Sequence, residues 1–218
     1  MSDLKVCQAS NDGNHIGYHE DLEGINEWPM SKNWPDGEVS YRLNNHSMDF
    51  LDKWQIRAVV IALRTWQLRI NKLKFRRERN PDAHVDINIS FEGLDKFSST
   101  NIFAHAYYPG QGEVSGDCEI NDETWDWRPG VHLSDLAIPP LVPIMIHEMG
   151  HSLGLSHDTT VGAMGREIMY PSYNMGAKQT TLGPNDISRI QSRYGTRNIS
   201  QRILDYFANR RRAGWDFR

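Results

Sequence analysis

The feature that most narrows what this chain can fold into is the run His147-Glu148-Met149-Gly150-His151-Ser152-Leu153-Gly154-Leu155-Ser156-His157. Residues four apart on an α-helix differ by about 400° of rotation, roughly 40° from eclipsed, so His147 and His151 project from one face and can share a ligand. Gly154 can take the positive φ that ends a helix, which lets the chain bring His157 to the same point from a third direction. Three neutral imidazoles leave one tetrahedral position for water, the pattern of a zinc site at which water becomes a nucleophile near neutral pH. Glu148, next to the first ligand and not itself a ligand, is placed to act there as general base and to pass the proton to a leaving amine. The spacing therefore demands a helix that ends at a glycine, inside a domain large enough to bury it.

The rest of the chain supplies such a domain. Val39, Tyr41 and Leu43 alternate with polar residues and predict a strand, with Ser47 after it as a helix cap. From Leu51, apolar residues at 51, 54, 58, 59, 62, 63 and 66 predict an amphipathic helix ending near Gln67. Strands are expected at 73–76, over Val85 to Phe91 and over 102–108. Gly110, Gly112 and Gly116, with acids at Asp117, Glu119, Asp122 and Glu123, read as an ion-binding loop. Prolines tolerated only in a first turn start the histidine helix near Pro140, and Pro184 to Tyr194 with Gly195 beyond reads as a last short helix.

Composition sets the limits. The net charge of −4 points away from nucleic acid, and no apolar run is long enough to span a membrane. Residues 1–37 carry seven acids against Lys5 and Lys32, and residues 196–218 carry six arginines against Asp205 and Asp216, so an acidic leader (1–34) and a basic tail (196–218) are expected around a domain at 35–195. Trp28 and Trp34 are expected to pin the end of the leader to the core. The first residues show neither the basic nor the apolar region of a secretory signal. Cys7 and Cys118 allow at most one disulfide.

Eleven residues past His157, Ile168-Met169-Tyr170-Pro171-Ser172-Tyr173 resembles the Met-turn of the matrixins, the matrix metalloproteinases of the metzincin clan. The resemblance runs from about residue 34 to 195, through DINISF, FAHAYYPG, NDETW and LGPNDISRIQSRYG. It implies an α+β fold: a twisted mixed five-stranded sheet, two packed helices, a zinc cleft and a C-terminal helix. It implies a zinc endopeptidase of extracellular-matrix-type proteins, secreted, acting as a monomer on extended polypeptides. Met169 would floor the zinc site, Pro171 and Tyr173 would line the S1′ wall, and Pro143 and residues 174–181 would shape the pocket. Substrate would pair with the edge strand through Ala104 and Ala106.

The resemblance also implies metals beyond the catalytic zinc. Asp86, Asp117 and the carbonyls of Gly112 to Ser115 stand where the family has a calcium site, and Asn121 and Glu123 fall near another; acids beside glycines also make ordinary solvated turns, so both readings stay open. Of the family's structural zinc ligands His105 remains, with Glu119 in place of the last histidine. Lys5-Val6-Cys7-Gln8 departs from the inhibitory cysteine motif of the zymogens. Two alternatives keep the fold: a zinc-containing binding protein without turnover, and a protease of another metzincin subfamily.

Overall fold

The computed structural model describes residues 32–128, 140–173 and 179–197. Cys7, the leader before residue 32, the tail from residue 198 and most of the 174–181 segment lie outside them. Strands β1 (Gly37–Leu43), β2 (Leu73–Arg77), β3 (Ile87–Glu92), β4 (Ala104–Ala106) and β5 (Cys118–Asn121) form one sheet in the order β2-β1-β3-β5-β4. β1 is parallel to β2 and to β3, β3 is parallel to β5, and β4 alone runs antiparallel, at the edge. Together with helices α1 (Asp52–Gln67), α2 (Leu141–Ser152) and α3 (Pro184–Tyr194), this is the mixed α+β architecture expected.

Parallel β1 and β2 need a crossover, which α1 provides. The alternation of β1 sends Val39, Tyr41 and Leu43 into the core, and β3 does the same with Ile87, Ile89 and Phe91. Against them α1 buries Ala58, Val59, Ala62, Leu63 and Trp66. Every residue of α2 is buried, because it packs on α1, β4 and β5 at once. Such a helix shows little amphipathic contrast, so its sequence signal is the proline start and the glycine stop rather than a stripe.

Four expectations need correction. Ser47 does not cap α1: the N-cap is Leu51, with no side-chain cap, and the Ser47 hydroxyl accepts instead from the Asp49 N–H at 3.1 Å. The preceding loop is held by buried Gln55, which accepts from Ser47 N at 2.9 Å and donates to the carbonyls of Ser47 and Phe50 at 2.8 and 2.7 Å. Leu51 and Trp54 lie off the buried face, 63% and 39% exposed. The strand expected over 102–108 is only three residues long, Ala104–Ala106, although the Phe103 carbonyl still accepts from Asn121 N at 2.9 Å and the Tyr107 N–H donates to the Asp117 carbonyl at 2.8 Å. The stretch read as an ion-binding loop contains β5, whose Cys118 and Ile120 point into the core while Glu119 takes the other face, and Asp122 and Glu123 follow the strand.

Candidate metal centre

α2 carries His147 and His151 on one face, and the helix ends where the motif requires. Gly154 has φ +91°, its N–H donates to the His151 carbonyl at 2.7 Å, and the Leu155 N–H reaches back to the Gly150 carbonyl at 2.9 Å. This paired closure is a Schellman turn, which a residue with a β-carbon would strain. The next two carbonyls also find donors: Trp34 Nε1 to Ser152 O at 2.8 Å, and the Tyr194 hydroxyl to Leu153 O at 3.0 Å. Trp34 thus packs against the core and is tied to the end of α2.

The turn sends His157 back toward α2. The ring centroids of His147, His151 and His157 lie 4.8 to 5.3 Å apart. One ligand atom from each falls within 4.8 Å of the others, and among the described residues this is the only gathering of three or more histidine, cysteine or acidic groups. His147 Nδ1 is 2.6 Å from the Ile168 carbonyl, and His151 Nδ1 is 2.6 Å from the Leu155 carbonyl. A carbonyl can only accept, so each Nδ1 bears the proton and each Nε2 presents a lone pair. The two Nε2 atoms face one another at 3.1 Å. Two nitrogens on one tetrahedral zinc, each about 2.0–2.1 Å away, would stand roughly 3.3 Å apart, so the donor set fits that ion.

Electrostatics agree with neutral donors. Burial pulls the pKa of His147 down to about 4 and, with His147 and Arg189 nearby, that of His157 down to about 3. His151 is likewise lowered well below its ordinary value, first by burial and then by the other two imidazoles. Glu148 is fully buried. Burial, then the Glu148 carboxylate, raises the Cys118 thiol well above its ordinary value.

Beneath α2, Met169 is fully buried. A β-carbon on Gly150 would run into its sulfur and come within 2.9 Å of Trp66 Cζ2. The Met169 turn is tied to the third histidine, since the Asp158 N–H donates to the Met169 carbonyl at 2.8 Å. It is tied to α3 as well: Asp186 Oδ2 accepts from Ile168 N at 2.6 Å and from Gly183 N at 2.9 Å. Buried Glu167 caps α3 by accepting from the N–H groups of Asn185 and Asp186 at 3.0 and 3.1 Å. Arg189 of α3 donates to the Ser156 carbonyl and hydroxyl at 2.7 and 2.8 Å, next to His157. Sequence reading missed Asp186, Glu167 and Arg189; an acid three residues after Gly183 at a helix start was the available signal for Asp186.

The remaining candidates sit as follows. Ala104 and Ala106 are fully buried in edge strand β4. Pro171 and Tyr173 are half-buried after Met169, with burial raising the Tyr173 hydroxyl to about 12. Pro143 is buried in the first turn of α2. Asp86 Oδ2 accepts from Ser40 N and Oγ at 2.7 and 2.6 Å, and Asp117 Oδ1 accepts from Asn88 N at 2.7 Å, so each acid secures a neighbouring strand. The Asn121 side chain donates to the Ile102 carbonyl, and Glu123 accepts from Leu94 N. His105 and Glu119 are cross-strand partners 2.8 Å apart, with Phe97 and Tyr107 edge-on to the imidazole.

Comparison with known proteins places these features in a family context. A family model described as matrixin matches residues 32–195. Stromelysin-1 of Rattus norvegicus is 30% identical over 191 residues, covering 84% of this chain and 38% of the relative. Stromelysin-2 of the same species is 33% identical over 188 residues, covering 83% and 37%. Neutrophil collagenase of Homo sapiens is 33% identical over 183 residues, covering 80% and 36%. The chain thus spans less than two fifths of the length of these relatives.

Proposed function

The chain belongs to the matrixin family, and from that premise we propose that it is a zinc-dependent endopeptidase that hydrolyses internal peptide bonds of extended polypeptides, with residues 35–195 as its catalytic domain. The observation that carries this reading is the convergence of three neutral imidazoles beside a buried glutamate.

His147, His151 and His157 would hold the zinc, with the carbonyls of Ile168 and Leu155 fixing two of the rings. Zinc bound there supplies Lewis acidity, polarising a carbonyl and acidifying water toward neutral pH. Glu148 takes a proton from the attacking water and delivers it to the departing amine nitrogen. Its burial strengthens each charge interaction it makes in the cleft. Met169 supports the helix from below. β4 offers its outer edge to an extended substrate main chain, while Pro171 and Tyr173 form a wall for the side chain beyond the cut bond. Relatives named collagenase and stromelysin support extracellular-matrix-type substrates and a secreted location. Support for calcium at Asp86 and Asp117, or for a second metal at His105 and Glu119, is thinner, because each of these groups already faces a protein partner.

Cut-site profiling on a denatured protein mixture tests the proposal. Zinc-loaded protein should cleave, chelation should stop it, and Glu148→Ala should abolish cleavage with zinc retained. Full activity in Glu148→Ala, or no cleavage by the fully metallated chain, would overturn it; the second result would favour the silent binding protein.

A further inference from the structure

Residues 53–79 carry nine lysines and arginines against the single acid Glu78, in a chain whose total charge is −4. Within α1, Lys53, Arg57 and Arg64 recur at spacings of four and seven and form one exposed ridge, opposite the buried ridge of Ala58, Ala62 and Trp66. Asp52, at the helix start, is the only acid of α1. Beside the basic ridge Trp54, Ile61 and Leu68 follow one another at intervals of seven, with Trp54 39% and Leu68 48% exposed. Before the helix start Leu51 and Met48 are also exposed, 63% and 97%. Four of the six exposed large apolar side chains among the described residues therefore fall within residues 48–68, on α1 or just outside its ends. The Arg57 guanidinium and the Lys53 ammonium stand 5.2 and 5.7 Å from the Trp54 ring centroid.

We propose that the outer face of α1 docks the protein on an anionic lipid surface. Charge complementarity supplies the attraction: each basic residue near such a surface is worth roughly fivefold in partitioning. Indole and aliphatic side chains flanked by cations suit the headgroup boundary, where the ring enters and the charges meet phosphates. The face is convex, the outside of a single helix, so a planar bilayer can meet it along its length whereas a peptide has no groove to occupy. A soluble polyanion would use the cations and gain nothing from Trp54, Leu51 or Met48. The placement also suits a protease. The buried ridge of α1 packs on α2 and β2, so its basic outer face points away from the helix that carries His147 and His151.

Co-sedimentation of the full chain with vesicles of phosphatidylcholine alone, and of phosphatidylcholine with phosphatidylserine, tests this. Binding is expected to the anionic vesicles only, and to weaken as salt rises. Lys53→Gln, Arg57→Gln and Arg64→Gln together should reduce partitioning roughly a hundredfold. Leu51→Ser with Trp54→Ser, which leaves the charges in place, should reduce it about tenfold. All five positions are exposed, so unchanged unfolding midpoints should accompany both losses. Equal binding to neutral vesicles, binding to neither kind, or loss on deleting residues 196–218 but not on changing α1 would each overturn the proposal. So would retention on a sulfated polysaccharide, indifferent to Trp54→Ser, without vesicle binding.

Discussion

The sulfur of Met169 lies so close under Gly150 that a β-carbon there would overlap it. Glycine in a helix interior ordinarily costs about 0.5–1 kcal/mol relative to alanine, so Gly150→Ala would be stabilising on propensity alone. Packing opposes this, because the added methyl also meets Trp66 at 2.9 Å in a fully buried site, and overpacking costs about 1–3 kcal/mol. The second effect is larger. We expect Gly150→Ala to lower the urea midpoint and to weaken zinc binding, since the displaced elements carry His151 and the Met169 turn. An unchanged or raised midpoint would show that Met169 moves aside freely.

Glu148 follows the first histidine and shares its buried helix, yet its expected role is in proton transfer rather than ligation. Replacement by Gln keeps the shape and removes the base. Glu148→Gln should lower kcat by a factor of about 10²–10⁴ and leave the zinc content of the purified protein unchanged. Lost zinc in this variant would mean that the carboxylate helps to hold the metal.

Acid should weaken the metal-free fold. His147 and His157 have folded pKa values of about 4 and about 3, lowered chiefly by burial, against about 6.5 in an unfolded chain. Between these values the unfolded chain binds more protons than the folded one, so stability rises with pH. The contribution is complete above about pH 6.5 and is lost as pH falls toward 4 and then 3. Urea midpoints of the chelated protein should decline through this window, and the decline should flatten in His147→Gln with His157→Gln. Zinc loading should raise the midpoints at neutral pH and lose that benefit with acid, because protons and metal compete for the same lone pairs. Midpoints independent of pH would contradict the burial of these rings.

Much of this centre was legible in the sequence because its spacing is local. His147, Glu148, His151 and Gly154 fall within about two helical turns, and helix geometry converts that interval directly into a shared face. β1, β3, α1 and α3 were legible for a similar reason, through alternation or a proline start and glycine stop. β5 was not: it is four residues long, and Glu119 with the flanking acids resembles a loop until β3 and β4 are set on either side. Asp186 and Glu167 lie 39 and 20 residues after His147, and only packing brings their carboxylates to the turn holding Met169. The solvent face of α1 escaped notice because its apolar residues were all assigned to the core, although Trp54 and Leu51 face outward.

The end of α2 offers the most direct test of what holds the third histidine in register. A buried helix terminus must find donors for its last carbonyls, and here two come from residues remote in sequence, Trp34 and Tyr194. The Tyr194 hydroxyl has a second task, accepting from the Trp34 N–H at 3.2 Å. Tyr194→Phe keeps the ring and removes both bonds, leaving the Leu153 carbonyl without that donor immediately before the Gly154 turn. A buried acceptor deprived of its partner costs about 1–3 kcal/mol. We expect a loss of that size in urea unfolding and weaker zinc binding, because the turn that aims His157 begins at this carbonyl. Trp34→Phe should cost a similar amount by exposing Ser152 O to the same deficit, and the two changes together should cost less than their sum, since the Tyr194 hydroxyl also holds the Trp34 backbone N–H and its loss already loosens the indole. Strict additivity would mean that the two donors act on the helix end independently.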